Sequence, residues 1–191
     1  KSGCFRDGHA DGGPAGGVSE HSNLAAIRWG LANEQQTKSV LDRFYDSKTV
    51  GFLEAEPFYC THVLKALRRA GRMDVALRLI RERWGRRMIE RGLTSICEEW
   101  HPSGSWRGPG NAFVGMYRSL SHAWSACPAE FLVRELVGFE ILEPGCARVR
   151  LDPAPVDFDY RADIPTPRGT VTVESAAGRL RVGLPDGVER D

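Results

Sequence analysis

The 191 residues carry 26 Lys plus Arg against 25 Asp plus Glu, for a formal net charge of +1, with 41% hydrophobic and 27% charged residues. These are globular proportions, and the even charge draws the chain as a whole toward neither nucleic acid nor a membrane surface. The five cysteines (Cys4, Cys60, Cys97, Cys127, Cys146) are odd in number and form no Cys-x-x-Cys pair. This argues against a disulfide framework and a zinc site and leaves buried free thiols as the expectation.

Residues 1–18 (KSGCFRDGHADGGPAGGV) hold six Gly and one Pro and little that packs, so they read as a flexible lead-in. Phosphate cradling is the other use of such glycines, but no G-x-x-x-x-G-K-[ST] pattern supports it. The chain begins at Lys1 without an initiator Met or a secretory apolar region and is expected to be a fragment of a longer gene product. Its compartment stays open, with the cytoplasm favoured, and no apolar run reaches the roughly 18 residues that a membrane span needs.

Four helices are predicted next. The first opens on the N-cap Ser19 and sets Leu24, Ile27 and Leu31 on one face. The second, Asn33 to Tyr45, carries Val40, Leu41 and Phe44. Pro57 starts the third, whose stripe is Cys60, Val63, Leu64 and Leu67 and whose stop is Gly71. The fourth, Met73 to Arg91, places Met73, Leu77, Ile80, Trp84 and Met88 at helical spacing before Gly92. Short loops between successive helices predict antiparallel hairpins. Irregular, aromatic-rich sequence follows, then a helix over Ser121 to Val137 with Pro128 near its start or kinking it. After Gly138, residues 147–151, 170–175 and 179–184 alternate as half-buried strands, with 176–178 as a hairpin turn and a Pro-rich loop over 152–169. The expected organisation is a lead-in over 1–18, helical hairpins over 19–138 and a small antiparallel β-domain over 139–191. The fold class is α+β.

Two stretches combine residue types that chemistry uses. In TSICEEWHPSGSW (94–106), Glu98 and Glu99 are flanked by Trp100, His101 and Trp106. Aromatic faces stack on sugar rings, and a carboxylate activates water or attacks an anomeric carbon. Adjacent residues of an extended segment point to opposite sides, so one glutamate at most faces a given pocket. A loop with two solvated acids is the plain alternative. In SLSHAWSACPAEF (119–131), His122 bonds a sugar hydroxyl or tunes a neighbouring carboxylate, or, as structure, caps a buried helix end with Trp124 as core. His21, beside Glu20 in a first helical turn, lacks local partners for a metal, and helix-start polarity explains it. The arginines of RLIRERWGRRMIER (78–91), interleaved with Glu82 and Glu90, read as a solvated helix rather than a nucleic-acid groove.

Taken in order, four segments resemble the C-terminal part of bacterial α-L-rhamnosidases with a six-hairpin α/α toroid. SEHSNLAAIRWGLA (19–32) is similar to a Ser-[Glu/Gln]-His-x-Asn helix. Residues 66–100 are similar to the run of Ile-Arg-x-x-Trp, Met-x-x-x-Gly and Thr-[Thr/Ser]-x-x-Glu. SHAWSACPAEFLVRELVGFEILEPG (121–145) is the most specific piece, and IPTPRGTVTVE (164–174) resembles the β-domain that closes these enzymes. The resemblance implies a partial toroid followed by a β-sandwich-like domain, and inverting hydrolysis of terminal α-L-rhamnosides. In that mechanism Glu98 is the general base, His122 contacts the sugar, Trp100 and Trp124 lie near the pocket, and Glu99 points away. Cys97 departs from the pattern, since many relatives carry Trp or another bulky residue there, and this puts the shape of the pocket in question.

The family's general acid lies far upstream and has no counterpart here, and five helices cannot close a twelve-helix toroid. The chain alone is therefore expected to be incomplete and inactive. The implied partners are a rhamnosylated glycoside and the missing N-terminal part of the same polypeptide, with no nucleic acid, membrane, metal or cofactor. Two other readings stay open: a non-catalytic carbohydrate-binding or scaffold remnant, and a helical-hairpin RNA-binding repeat protein. The second needs at least three self-similar units, and the hairpin preceding residues 64–92 does not share their pattern.

Overall fold

The computed structural model describes residues 3–99, 119 and 121–191. It divides into two compact units, Lys1–Pro128 and Ala129–Asp191.

The first unit is helical. Helix α1 (Glu20–Arg28) starts where the extended Ser19 accepts the Ser22 N–H through its side chain, and it buries Asn23, Leu24, Ala26 and Ile27. Leu31, expected on that face, is 77% exposed, because the helix ends at Arg28 and Gly30 turns the chain away at φ 73°. Helix α2 (Glu34–Leu41) opens on a reciprocal capping box between Asn33 and Gln36. It continues through a widened π turn, Asp42–Asp46, that buries Phe44 and Tyr45. A 3₁₀ turn at Pro57–Tyr59 leads into α3 (Cys60–Arg69), which buries the predicted Cys60, Val63, Leu64 and Leu67.

Helix α4 (Met73–Ile80) also passes into a π turn, Arg81–Arg86, and the run stops at Gly92 in the left-handed region. Its inward face differs from the expected one. Met73, Val75, Ala76, Leu79, Arg83, Trp84 and Met88 are buried, whereas Leu77 and Ile80 are only half-buried. A π turn accommodates one residue more than an α turn, so the neighbours Arg83 and Trp84 both turn inward.

Helix α1 packs on α3, and α3 on α4. At one end of the hairpins, the turns after α1 and α3 line a common groove. The start of α1, residues 53–55 and the end of α4 meet at the other, where Leu53 N–H donates to Val18 O at 2.8 Å and Arg87 pairs with Glu54 at 2.6 Å.

Residues 3–18 are tied to the first unit by pairing and hydrogen bonds. Strands β1 (Gly8–Ala10) and β2 (Gly13–Ala15) pair antiparallel. Asn23 clamps the Phe5 backbone, accepting its N–H at 2.8 Å and donating to its carbonyl at 3.0 Å. Asp7 accepts the Ser19 and Ser22 hydroxyls, each at 2.6 Å. Composition reports how little apolar surface the segment carries; backbone pairing and donors at a helix start need none.

Helix α5 (Cys127–Phe131) follows a 3₁₀ turn at Ala123–Ala126 and extends through a π turn to Leu136. Pro128 lies in its first turn, where a missing N–H is tolerated. No helix among the described residues is long and apolar enough to cross a membrane.

The second unit holds two three-stranded sheets. One runs in the order β3 (Phe139–Ile141), β4 (Arg148–Leu151), β8 (Glu189–Arg190), and the other in the order β5 (Tyr160–Thr166), β6 (Gly169–Ala176), β7 (Arg179–Gly183). All pairs are antiparallel except β4 with β8, which is parallel over two residues. Phe139, Val149 and Leu151 from the first sheet share a core with Ile164, Val171 and Val173 from the second. Strand β5 lies inside the expected Pro-rich loop. Tyr160, Ala162 and Ile164 alternate inward, and Pro165 is tolerated because β5 is an edge strand. The expected hairpin between β6 and β7 turns on Ala177 and Gly178, both at positive φ.

Candidate functional site

Beyond Gly92 the chain leaves the helix, and residues 96–98 run beside Ser119 and His122. His122 N–H donates to Ile96 O at 2.8 Å, Glu98 N–H to Ser119 O at 3.0 Å, and Ser119 N–H returns to Glu98 Oε2 at 2.8 Å. One backbone pairing thus brings Glu98 and His122 onto neighbouring segments and orients the carboxylate with an amide donor. Cys97 is buried, and burial raises its thiol pKa, whereas Glu98 and Glu99 on either side are each half-buried. Glu98 Oε1 has no partner among the described residues.

His122 is half-buried in extended backbone and leads into the 3₁₀ turn. Its ring lies 5.9 Å from that of Trp124 in an edge-on arrangement. Trp124 is 74% exposed, so it is a surface ring and not core. Trp100, with His101 and Trp106, lies outside the described residues.

Two side-chain constellations near this end of the hairpins escaped the sequence reading. The first is a buried ionic network. Arg83, read as part of a solvated helix, is 3% exposed and donates to Glu20 Oε1 at 2.7 Å. Burial is the largest influence and opposes its charge, but Glu20, Cys60 and Glu54 together outweigh it and raise the guanidinium pKa. Glu54 pairs with Arg83 at 2.8 Å and with Arg87 at 2.6 Å. Tyr45 donates its hydroxyl to Glu20 at 2.7 Å, and burial followed by the Glu20 charge raises the phenol well above its ordinary range. Glu20, in the first turn of α1, is therefore also a buried hub. The signal available in the sequence was an i, i+4 arginine pair, Arg83 and Arg87, opposite Glu54 in a loop.

The second is a contact between Trp84, whose indole N–H donates to Ser125 O at 2.8 Å, and the turn that carries His122.

His21 faces Tyr59, with ring centroids 4.5 Å apart, and its carbonyl accepts the Tyr59 hydroxyl. Among the described residues, no three His, Cys, Asp or Glu side chains gather as a metal site. None of the five cysteines forms a disulfide: Cys60, Cys97 and Cys146 are buried, whereas Cys4 and Cys127 are partly exposed, against expectation. The open groove of about 930 Å³ at the opposite end is lined by Ile27, Asn33, Lys38, Asp42, Arg69 and Arg72, among others, and includes neither Glu98 nor His122.

Similarity to solved structures decides the fold. A GH78 family rhamnosidase of Bacillus sp. GL1 superposes with a TM-score of 0.65 at 23% identity, over 96% of this chain and 20% of that one. The α-L-rhamnosidase of Streptomyces avermitilis, solved with L-rhamnose, gives 0.63 at 22% identity, over 96% of this chain and 19% of that one. The α-L-rhamnosidase from Dictyoglumus thermophilum gives 0.63 at 20% identity, over 91% of this chain and 20% of that one.

The chain shares their fold. It spans about a fifth of the length of these rhamnosidases. No family model matches the sequence, and no curated protein does. The expected α+β class, with helical hairpins followed by a small β-domain, is the class observed, on a glycoside-hydrolase-like fold.

Proposed function

We propose that this chain is the C-terminal portion of an α-L-rhamnosidase-type glycoside hydrolase, acting by inversion on terminal α-L-rhamnosides. The observation that carries the reading is the rhamnosidase fold over nearly the whole chain, combined with the pairing that sets Glu98 beside the His122 segment. Glu98 is the general base: one carboxylate oxygen is held by the Ser119 amide, and the other is left to take a proton from water. His122 donates to or accepts from a sugar hydroxyl, and Trp124 offers its exposed face to the C–H surface of the ring. Inversion requires a second carboxyl roughly 6.5–9.5 Å from the first to protonate the leaving oxygen. That acid, and the rest of the toroid, belong to a longer polypeptide.

Two measurements test this. L-Rhamnose titrated into the 191-residue chain shifts the NMR signals of the His122 imidazole and the Trp124 indole. An unchanged spectrum at saturating sugar overturns the sugar site. In the longer polypeptide, Glu98→Gln lowers turnover of an aryl α-L-rhamnoside by at least about a hundredfold, the scale of general-base catalysis. A variant of undiminished rate removes Glu98 from that role. Sugar binding without turnover in the longer polypeptide marks a non-catalytic carbohydrate-binding remnant instead.

A further inference from the structure

We infer that Trp84 is a positioning residue of the proposed site: its indole fixes the His122 turn against the Glu98 segment and acts on the sugar through His122. This rests on the rhamnoside reading for its ligand but not for its geometry.

The turn packs against the 3₁₀ turn at Pro57–Tyr59 but buries little of itself. Of Ala123–Ala126 only Ser125 is buried, and Ala123 and Trp124 face solvent. A turn with so little buried surface depends on its hydrogen bonds as well as on packing. The Trp84 indole, 5% exposed, supplies the bond from inside by donating to Ser125 O at 2.8 Å. Ser125 N–H in turn donates to His122 O at 3.0 Å, and His122 N–H to Ile96 O at 2.8 Å. A continuous chain of bonds therefore runs from the helix that precedes Glu98, through the turn, and back to the segment that carries Glu98.

The π turn at Arg81–Arg86 makes this possible by turning Trp84 inward beside Arg83 instead of leaving one of the two outside. An indole N–H is a donor with no accepting capacity, so it selects a carbonyl such as that of Ser125.

Trp84→Phe in the 191-residue chain keeps an aromatic ring and removes the donor. The variant is expected to unfold as cooperatively as the parent, while the amides of His122 and Ser125 exchange with solvent about tenfold faster. L-Rhamnose is then bound about tenfold more weakly, and the sugar-induced shift of the His122 imidazole shrinks. Unchanged exchange together with affinity within about twofold of the parent overturns the assignment. If the parent binds no L-rhamnose, the rhamnoside reading falls, and exchange at His122 and Ser125 alone decides the role of Trp84. Should the variant fail to fold, the indole N–H of Trp84 in the parent decides. Slow exchange with a shift on adding L-rhamnose supports the proposal, and exchange as fast as that of the exposed Trp124 indole overturns it.

Discussion

Arg83 and Glu20 stand 63 residues apart in the sequence and 2.7 Å apart in space, with side chains 4% and 0% exposed. The carboxylate is fully engaged. Beyond Arg83 it accepts the Tyr45 hydroxyl at 2.7 Å and the Ala55 N–H at 2.8 Å. This one group therefore ties together the start of α1, the π turn after α2, the loop before α3 and the π turn after α4. Removing one partner strands a buried charge, so Glu20→Ala is expected to cost about 3–5 kcal/mol. Replacing the pair together, as Glu20→Leu with Arg83→Met, is expected to be much milder, because an apolar pair of similar volume needs no desolvated charge. Urea unfolding of the three proteins checks this. A double variant less stable than Glu20→Ala contradicts it.

Arg72 sets the acid sensitivity of the opposite end of the hairpins. It donates to Asp46 at 2.8 and 2.9 Å and to Asp74 at 2.9 and 3.0 Å. Its hydrogen bonds hold both carboxyl groups below the ordinary aspartate range. A carboxyl depressed in the folded state contributes stability above its unfolded pKa of about 3.9 and loses it as pH falls through the folded value. Both aspartates face solvent, so screening holds the contribution of the cluster to about 1 kcal/mol. Stability should be level at neutral pH and fall below about pH 4. Arg72→Met should lower the neutral plateau slightly and flatten that fall. Thermal unfolding across pH 2–7, a range of about five units around the carboxyl pKa values, reads both. An equally steep acid loss in the variant assigns it to other carboxyl groups.

What was legible in the sequence followed from local physics. Ser19, Asn33, Pro57 and Gly92 mark helix ends, because caps and left-handed stops are set by one or two residues. The inward face of α4 was misjudged because a π turn breaks the 3.6-residue period, and no residue type announces one. Strand β5 was hidden by Pro165, which composition reads as loop and an edge strand tolerates. The pairing of Glu98 with Ser119 spans 21 residues of backbone and leaves no mark in spacing. Glu98 and His122 stand out by residue type and take their roles from the resemblance, whereas the parts played by Trp84 and Glu20 rest on contacts across the fold that spacing does not show.

Ser125 offers a test in which removing a polar group helps. The residue is wholly buried, its carbonyl receives the Trp84 indole, and its hydroxyl oxygen has no partner among the described residues. An unsatisfied buried hydroxyl carries a desolvation penalty of about 1–3 kcal/mol, which its removal relieves at the cost of a very small void. Ser125→Ala should therefore leave stability unchanged or raise it by up to about 1 kcal/mol, and it should not alter exchange at His122, since the carbonyl remains. A loss of stability reveals a partner for the hydroxyl.

Gly138 and Gly92 both sit at positive φ, 71° and 78°, yet they should respond very differently to a methyl group. At Gly92 nothing stands within 4 Å of the added carbon, so Gly92→Ala bears only the left-handed backbone cost of roughly 1–2 kcal/mol. At Gly138 the same carbon would lie 1.9 Å from the Asp152 carbonyl oxygen and 2.7 Å from its nitrogen. That approach is built in, because Asp152 N–H donates to Gly138 O at 3.1 Å just where β3 and β4 pair through Phe139 and Leu151. Neither backbone can withdraw without breaking the bond and the start of the sheet. Gly138→Ala is therefore expected to cost well over about 3 kcal/mol, beyond the left-handed penalty alone, and to unfold the second unit first. Hydrogen exchange along β3 and β4 measures this directly. Equal, small losses for the two alanine variants would show that the strand pair has room to yield.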